Sequence, residues 1–105
     1  MILEIAHLDV KPAETAAFEA AFEQASPFIA ATPGYVKHSL SRCIETPHRY
    51  VLLVEWETLE AHTVGFRQSD RYPKWRALLH HFYAPFPLVE HYEPLLHFGK
   101  VENDS

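Results

Sequence analysis

The period of the apolar residues changes along this chain, and each change predicts a new structural element. The run from Ile2 to Val10 mixes apolar and polar residues at strand length and stops at Lys11-Pro12. Beyond it the apolar residues recur at helical spacing, in a stripe formed by Phe18, Phe22, Ala25 and Ile29. Pro27 falls within this helix, so we expect the helix either to kink there or to restart with Ser26 as its cap.

Two extended segments follow the helix stop at Thr32-Pro33-Gly34, and they span Tyr35 to Ile44 and Arg49 to Glu57. A polar link of hairpin length that contains a proline joins them. Both faces of the second segment are mostly apolar: one carries Tyr50, Leu52, Val54 and Trp56, and the other carries Val51 and Leu53. Because such a strand is covered on both sides, we expect it to be central in the sheet.

Two further helices are predicted after these strands. Thr58 is placed to cap a short helix from Leu59 to about Phe66, and Ser69 or Asp70 is available to cap the next. The second of these helices carries an apolar stripe formed by Tyr72, Trp75, Leu78, Leu79 and Phe82.

The last strand is predicted over Leu88 to Phe98, and we expect the polar tail that follows, from Lys100 onward, to be frayed. The order strand, helix, strand, strand, helix, strand predicts an α+β fold of the ferredoxin-like βαββαβ type with an antiparallel sheet. A chain of 105 residues has room for one hydrophobic core. We therefore expect a single domain over residues 2–98 and a C-terminal tail over residues 99–105.

A four-stranded sheet with its helices on one face leaves its other face uncovered. Alternate strand positions on that face, including Val51 and Leu53, are apolar, and hydrophobic residues make up 48% of the chain. This surplus favours a homodimer in which a two-fold mate covers the sheet, together with a small apolar or aromatic ligand.

Charge and cysteine content argue against several classes of function. The formal net charge is −5 and the nine basic residues are scattered, so we expect no nucleic-acid partner. The first ten residues carry two acids and no basic region, which predicts neither a signal peptide nor a membrane span and favours a cytoplasmic location. Cys43 is the single cysteine and permits no cysteine-based metal cluster.

The histidines do not have metal-ligand spacing either. Adjacent helical residues such as His80 and His81 point about 100° apart and cannot both bind one ion. His91 and His97 would lie about 20 Å apart along a strand. We therefore expect no metal site.

The second half of the chain resembles a known family. The similarity rests on Tyr50-Val51-Leu52-Leu53-Val54-Glu55-Trp56-Glu57-Thr58-Leu59-Glu60-Ala61-His62 and on Phe66-Arg67-Gln68-Ser69-Asp70-Arg71-Tyr72. A strand that ends in Trp, a short helix and a Ser-Asp step into the next helix are similar to the antibiotic biosynthesis monooxygenase family. The similarity spans about residues 2 to 95. It implies a dimeric α+β barrel and either cofactor-independent formation of quinones or degradation of haem.

The resemblance disfavours haem degradation. Haem-degrading members use an Asn on the first strand, a Trp before the Ser-Asp step and a His after it. The matching positions here hold His7, Phe66 and Arg76. His80 and His81 lie one turn further along, which would move the imidazole about 6 Å along the helix axis.

The quinone-forming branch implies oxidation of a small phenol or quinol by O₂ without a cofactor. Within that resemblance His7, if it points toward the helices, takes the phenol proton, and Arg67 or Arg76 stabilises the phenolate. We place His7 beneath the helices because it alternates with Leu3 and Ile5 on one strand face. The predicted aromatic wall consists of Trp56, Phe66, Tyr72, Trp75 and Phe82.

Two other functions remain open at this point. A lone buried histidine is usually structural, and large aromatic residues are more often core than ligand wall, so the same fold also suits a non-catalytic or stress-responsive module that holds a hydrophobic metabolite. A haem-binding protein would need an axial ligand, which only His80 or His81 offers.

Overall fold

The computed structural model describes residues 1–101 and contains the expected elements in the expected order. Four strands form one antiparallel sheet in the order β2-β3-β1-β4, and the helices cover one of its faces. The α+β ferredoxin-like βαββαβ fold is therefore confirmed. The elements are β1 (Ile2–Asp9), α1 (Thr15–Ala30), β2 (Tyr35–Arg42), β3 (Arg49–Trp56), a π-helical segment (Ala61–Phe66), α2 (Arg71–Leu79) and β4 (Val89–Tyr92).

Helix α1 passes through Pro27 as one continuous element and does not restart. The Ser26 hydroxyl donates to the Phe22 carbonyl at 3.0 Å, one turn earlier, instead of capping a new helix. Pro27 lacks the N–H that would bond the Glu23 carbonyl, but both residues are exposed, so water can satisfy that carbonyl. The predicted stripe is buried as expected at Phe18, Phe22, Ala25 and Ile29.

The two faces of β1 are the reverse of the expectation. Its buried side chains, which face the helices, belong to Glu4, Ala6 and Leu8, whereas His7 is exposed on the open face of the sheet. The placement of His7 beneath the helices was therefore wrong. Both phases of this strand contain apolar residues, so alternation alone did not decide which phase faces the core.

Strand β3 lies in the middle of the sheet, between β1 and β2, as its two apolar faces predicted. Its residues Tyr50, Leu52, Val54 and Trp56 are buried against the helices. Val51 and Leu53 lie on the open face and are only partly buried within the single chain.

Strand β4 is shorter than predicted and ends at Tyr92, not at Phe98. Tyr92 pairs with Leu3, and β1 begins at Ile2, so almost no partner strand remains for the residues beyond it. Pro94 also lacks the N–H that a further ladder bond needs. The predicted tail falls partly on residues 102–105, which lie outside the described residues.

The connections that build the second helical layer use the predicted polar residues. Thr58 Oγ1 accepts a hydrogen bond from the Ala61 N–H at 3.1 Å, and Ser69 Oγ accepts one from the Arg71 N–H at 3.3 Å. Asp70 makes no side-chain capping bond to α2. These bonds fix the π-helical segment and α2 over one end of the sheet, where they form a wall of the cavity described next.

Candidate functional site

A cavity of about 360 Å³ lies between the inner face of the sheet and the second helical layer. Its floor is apolar and comes from the inward-facing positions of three strands: Ala6 of β1, Leu52 of β3 and Val89 of β4, together with Leu8. Small side chains such as Ala6 leave the space that bulkier core residues fill elsewhere.

The helical wall of the cavity is polar and aromatic. The π-helical segment contributes His62, Arg67 follows its last residue, and α2 and the turn after it add Tyr72, Trp75 and His80. The segment that leads into β4 closes the remaining side with Tyr83, Phe86, Pro87 and Leu88. An aromatic molecule in this cavity would therefore meet rings on several sides and one guanidinium group.

Three of the eight predicted site residues line this cavity: Arg67, Tyr72 and Trp75. Three more aromatic candidates, Trp56, Phe66 and Phe82, are buried in the adjoining core and do not line it.

The two remaining candidates lie elsewhere. His7 is on the opposite face of the sheet, and Arg76 is exposed on α2, where its guanidinium lies 5.8 Å from the centre of the Tyr72 ring. The cavity of the single chain therefore brings together one predicted arginine and two predicted rings, without the predicted histidine.

Three polar side chains that the sequence did not predict as site residues form a line, in which His62 of the cavity wall lies between Glu4 and His91. Glu4 and His62 are 5% and 3% exposed, and Glu4 Oε1 lies 3.4 Å from His62 Nε2. On its other side His62 Nδ1 lies 2.7 Å from Nε2 of His91, which is on β4. The Trp56 Nε1–H donates to the same Glu4 oxygen at 2.9 Å.

Burial controls the charge of this line. Removal from water raises the pKa of Glu4, although the Trp56 hydrogen bond and the charge of Arg67 act in the opposite direction. Removal from water, with Arg67 and His91 adding to it, lowers the pKa of His62 to about 3. His62 is therefore neutral at pH 7, and its 3.4 Å approach to Glu4 is not an ion pair between two full charges.

Two other groups that line the cavity, His80 and Tyr83, are also held uncharged. Burial, followed by the charge of Arg76, lowers the pKa of His80. Burial likewise raises the pKa of Tyr83. The cavity thus combines a cationic guanidinium at Arg67 with neutral imidazole and phenol groups, which can accept or donate protons without first losing a charge.

A hydrogen-bonded group around His38 lies between β2 and α1 and has a structural role. His38 of β2 contacts the Tyr35 hydroxyl through Nδ1 and the Ser26 hydroxyl through Nε2, the latter at 3.0 Å. Because the Ser26 hydroxyl donates to the Phe22 carbonyl, it accepts from His38 and cannot give its proton to that ring. This chain of bonds joins β2 to α1 and does not activate a nucleophile.

Neither a metal-binding group nor a membrane-spanning helix is found within residues 1–101. No group of three or more His, Cys, Asp or Glu side chains in this part of the chain is arranged to hold a metal ion. No helix among the same residues is long and apolar enough to cross a bilayer.

Residues 1–78 match the sequence profile of the antibiotic biosynthesis monooxygenase family. The chain belongs to this family. The matched region contains His62, Arg67, Tyr72 and Trp75, whereas His80 and His91 lie beyond its end. The resemblance that the strand ending in Trp56 and the Ser-Asp step predicted is therefore confirmed.

One relative is similar to this chain in sequence, and a second is similar in both sequence and fold. The uncharacterized protein YczJ of Bacillus subtilis is 56% identical over 93 residues, which cover 89% of this chain and 98% of YczJ. A structure from Bordetella bronchiseptica that carries the family name is 42% identical, with a TM-score of 0.85, and the match covers 90% of this chain and 97% of that one.

A structure with lower sequence identity also has a similar fold. The monooxygenase from the gene ActVA-Orf6 of Streptomyces coelicolor, in complex with the ligand nanaomycin D, has a TM-score of 0.80 at 16% identity. The match covers 95% of this chain and 92% of that chain. At that identity the comparison concerns the fold alone.

For two polar positions of the site, the sequence contains a feature that could have predicted them. Glu4 is an acid in the same strand phase as Ala6, Leu8 and Val10, so an ionisable group in an apolar phase marked it. His62 stands in the segment that carries the family resemblance. His91 gave no such signal, because its role depends on the pairing of β4 with β1.

Proposed function

We propose that this protein is a monooxygenase that oxidises a small phenolic or quinol-type aromatic molecule with O₂ and without a cofactor, in the cavity between the sheet and α2. One observation carries the proposal: a cavity of about 360 Å³ with an apolar floor and aromatic walls contains Arg67 and two uncharged histidines. Volumes of this order are typical of sites for small molecules.

The reaction balances without an outside reductant. With 1-naphthol as the example, the hydroxyl hydrogen and the opposite ring C–H hydrogen leave the substrate. One oxygen atom of O₂ becomes the new carbonyl of the naphthoquinone, and the other leaves as water. The substrate supplies all four electrons, so the protein has to hold the ring, remove the phenol proton and stabilise the electron-rich anion that reacts with O₂.

Arg67 suits the stabilisation of that anion. It is the one arginine that lines the cavity within residues 1–101, and its charge already acts on Glu4, His62 and His91. A fixed cation beside a phenolate lowers the energy of the anion more in a partly dry cavity than in water. Tyr72 and Trp75 provide ring contacts for the substrate.

The names of relatives agree with this proposal. The Streptomyces coelicolor protein that shares the fold is named a monooxygenase and holds nanaomycin D. The family itself is named for monooxygenases of antibiotic biosynthesis.

We also propose that the protein acts as a homodimer in which two sheets face each other. The open face carries Leu3, Ile5, Val51 and Leu53, which a single chain leaves partly exposed. The segment after β4 adds apolar side chains that are 76–88% exposed, at Leu95, Leu96 and Phe98. A second copy would remove both surfaces from water. The cytoplasmic location stays a prediction.

The test is O₂ uptake by metal-free, flavin-free protein with a panel of hydroquinones and bicyclic phenols that includes 1-naphthol. We expect uptake above the uncatalysed rate and a loss of about 100-fold in Arg67→Gln, as for the removal of one group that stabilises an anion. Arg42→Gln is the matched control, because Arg42 is exposed on β2 and does not line the cavity.

Uptake no faster than in protein-free solution across the panel would contradict the proposal. If the same phenols quench the fluorescence of Trp75 in that case, the protein is a non-catalytic binding module. Equal losses in Arg67→Gln and Arg42→Gln would remove Arg67 from its assigned role.

A further inference from the structure

Two uncharged histidines border the cavity, and only one of them belongs to a line of polar groups that leads away from it. His80 packs among aromatic rings, with centroid distances of 6.1 Å to Tyr72, 5.8 Å to Tyr83 and 5.1 Å to Phe86. His62, by contrast, has a polar neighbour at each ring nitrogen. His62 can therefore pass a proton to a neighbouring polar group.

The two contacts of His62 differ in length. The Nδ1 contact with His91 Nε2 is 2.7 Å, which is a close hydrogen bond. The Nε2 contact with Glu4 Oε1 is 3.4 Å, longer than an optimal hydrogen bond, and the Glu4 oxygen already accepts from Trp56. Of the two nitrogens, Nε2 therefore makes the weaker contact with the protein.

His91 extends this line to the edge of the sheet. It lies on β4, which pairs only with β1 and is the outer strand on that side. Its side chain is partly buried, whereas His62 is 3% exposed. Of the two rings, His91 is therefore the more accessible to solvent.

We propose that His62 accepts the substrate's hydroxyl proton and that His91 passes a proton from His62 to solvent at the sheet edge. This inference rests on the proposed function. The hydroxyl gives its proton to His62 Nε2, the Nδ1–H of His62 moves to His91 Nε2, and the Nδ1–H of His91 moves to water. One proton leaves the site, and both rings end as neutral imidazoles in the other tautomer.

The charges around the line favour the passage of a proton through His62 and disfavour a lasting positive charge on its ring. Arg67 and His91 both oppose a positive charge on the His62 ring, and burial opposes it more strongly. Arg67 opposes it on His91 as well. Among residues 1–101 Glu4 is the one acidic group in direct contact with His62, and the Trp56 ring stacks on the same imidazole. A ring that cannot keep a second proton must release one as it gains one.

The line can be tested without any turnover. In protein labelled with ¹⁵N-histidine, a scalar coupling between the Nδ1 of His62 and the Nε2 of His91 reports the N–H···N bond directly. We expect this coupling in wild type and in the control His97→Gln, which changes an exposed histidine beyond β4, and no coupling in His91→Gln. A wild-type spectrum without the coupling overturns the proposed path even if the enzyme oxidises phenols.

The transfer itself is tested by anaerobic mixing with 1-naphthol, with phenolate formation followed by absorbance. We expect His62→Gln and His91→Ala to slow this step about 100-fold, the lower end of the usual range for general base catalysis. Added imidazole should restore the rate in His91→Ala, because it can occupy the vacated position and carry the proton.

His80→Gln is the competing variant in the same experiment, and we expect it to slow the step less than His62→Gln does, whereas His97→Gln, outside the cavity, should stay within about twofold of wild type. A large loss in His80→Gln with none in His62→Gln assigns the proton to the other histidine and overturns the inference while the monooxygenase proposal stands. Failure of every phenol to react contradicts the monooxygenase proposal instead, and the nitrogen coupling then decides whether the line exists.

Discussion

The indole of Trp56 lies almost flat against the imidazole of His62, with ring centroids 5.1 Å apart and an angle of 18° between the planes. The two rings also share one acceptor, because the Trp56 N–H donates to the Glu4 oxygen that approaches His62 Nε2. The first strand, the end of β3 and the π-helical segment are therefore joined at a single buried carboxyl group. Disturbing any of the three partners changes the environment of the other two.

The Trp56 hydrogen bond is expected to stabilise the fold measurably. Trp56→Phe keeps an aromatic ring in the core but leaves Glu4 without its nearest donor, a change that costs about 1 to 3 kcal/mol in the free energy of unfolding. Trp75→Phe loses the same ring volume and serves as the control. Urea denaturation of both variants measures the difference, and equal losses would mean that ring volume, and not the hydrogen bond, accounts for the effect.

Stability should fall as the pH is lowered through the range in which unfolded histidines gain protons. The pKa of His62 is about 3 in the fold against 6.5 for an ordinary histidine, so between these values the unfolded chain binds more protons. The contribution of neutral His62 to the stability of the fold is complete above pH 6.5 and is lost toward pH 3. His38, His80 and His91 have pKa values lowered in the same direction.

Glu4 acts in the opposite sense, because its raised pKa favours the fold at low pH and disfavours it as the carboxyl ionises. Thermal unfolding of wild type and His62→Phe between pH 7 and 4 separates these effects. We expect a shallower pH dependence in His62→Phe and a wild-type slope in His97→Gln. Parallel slopes for wild type and His62→Phe would contradict the assigned pKa of His62.

Gly34 is expected to be intolerant of any side chain. Its φ is +88°, and a Cβ at this position would lie 2.7 Å from the Ala61 Cβ at the start of the π-helical segment. Gly34→Ala should cost about 1 to 3 kcal/mol from the backbone conformation, with the clash in addition. Gly65→Ala is the control, since its Cβ would make only ordinary contacts at 3.7 Å and longer. Chemical denaturation that shows equal stability in both variants would contradict this account.

A charge on the open face of the sheet should break the proposed dimer. Val51→Lys or Leu53→Lys would place an unpaired ammonium group between two sheets, which costs several kcal/mol. Size-exclusion chromatography with light scattering measures the mass in solution. Ala20→Lys, on the exposed side of α1, should leave the mass of wild type. A Val51→Lys protein that keeps the dimer mass rules out assembly through this face.

The sequence predicted the order of elements well, because helix and strand periods differ clearly in α1 and β3. It could not decide which phase of β1 faces the core, since Leu3 and Ile5 in one phase are as apolar as Ala6 and Leu8 in the other. The phase that faces the core depends on the side of the sheet on which the helical connections cross, and that side is a property of the whole fold.

The same limitation explains what was missed in the site. Arg67, Tyr72 and Trp75 follow one another along a single helical region, so local spacing placed them together. Glu4, His62 and His91 are brought together by strand pairing between distant segments, and no local pattern reports that. The end of β4 was misplaced for a related reason, because the strand stops where its partner β1 begins.

Glu4 is a position at which an ionisable carboxyl group is expected to cost this fold stability. A glutamine there has nearly the same shape and would still accept from the Trp56 N–H, yet it removes an ionisable group that burial disfavours. Selection for heat resistance alone would favour such a replacement. Selection experiments can separate the demands of catalysis from those of folding. They do so if variants selected for activity keep a carboxyl group at this position and variants selected only for survival at high temperature lose it.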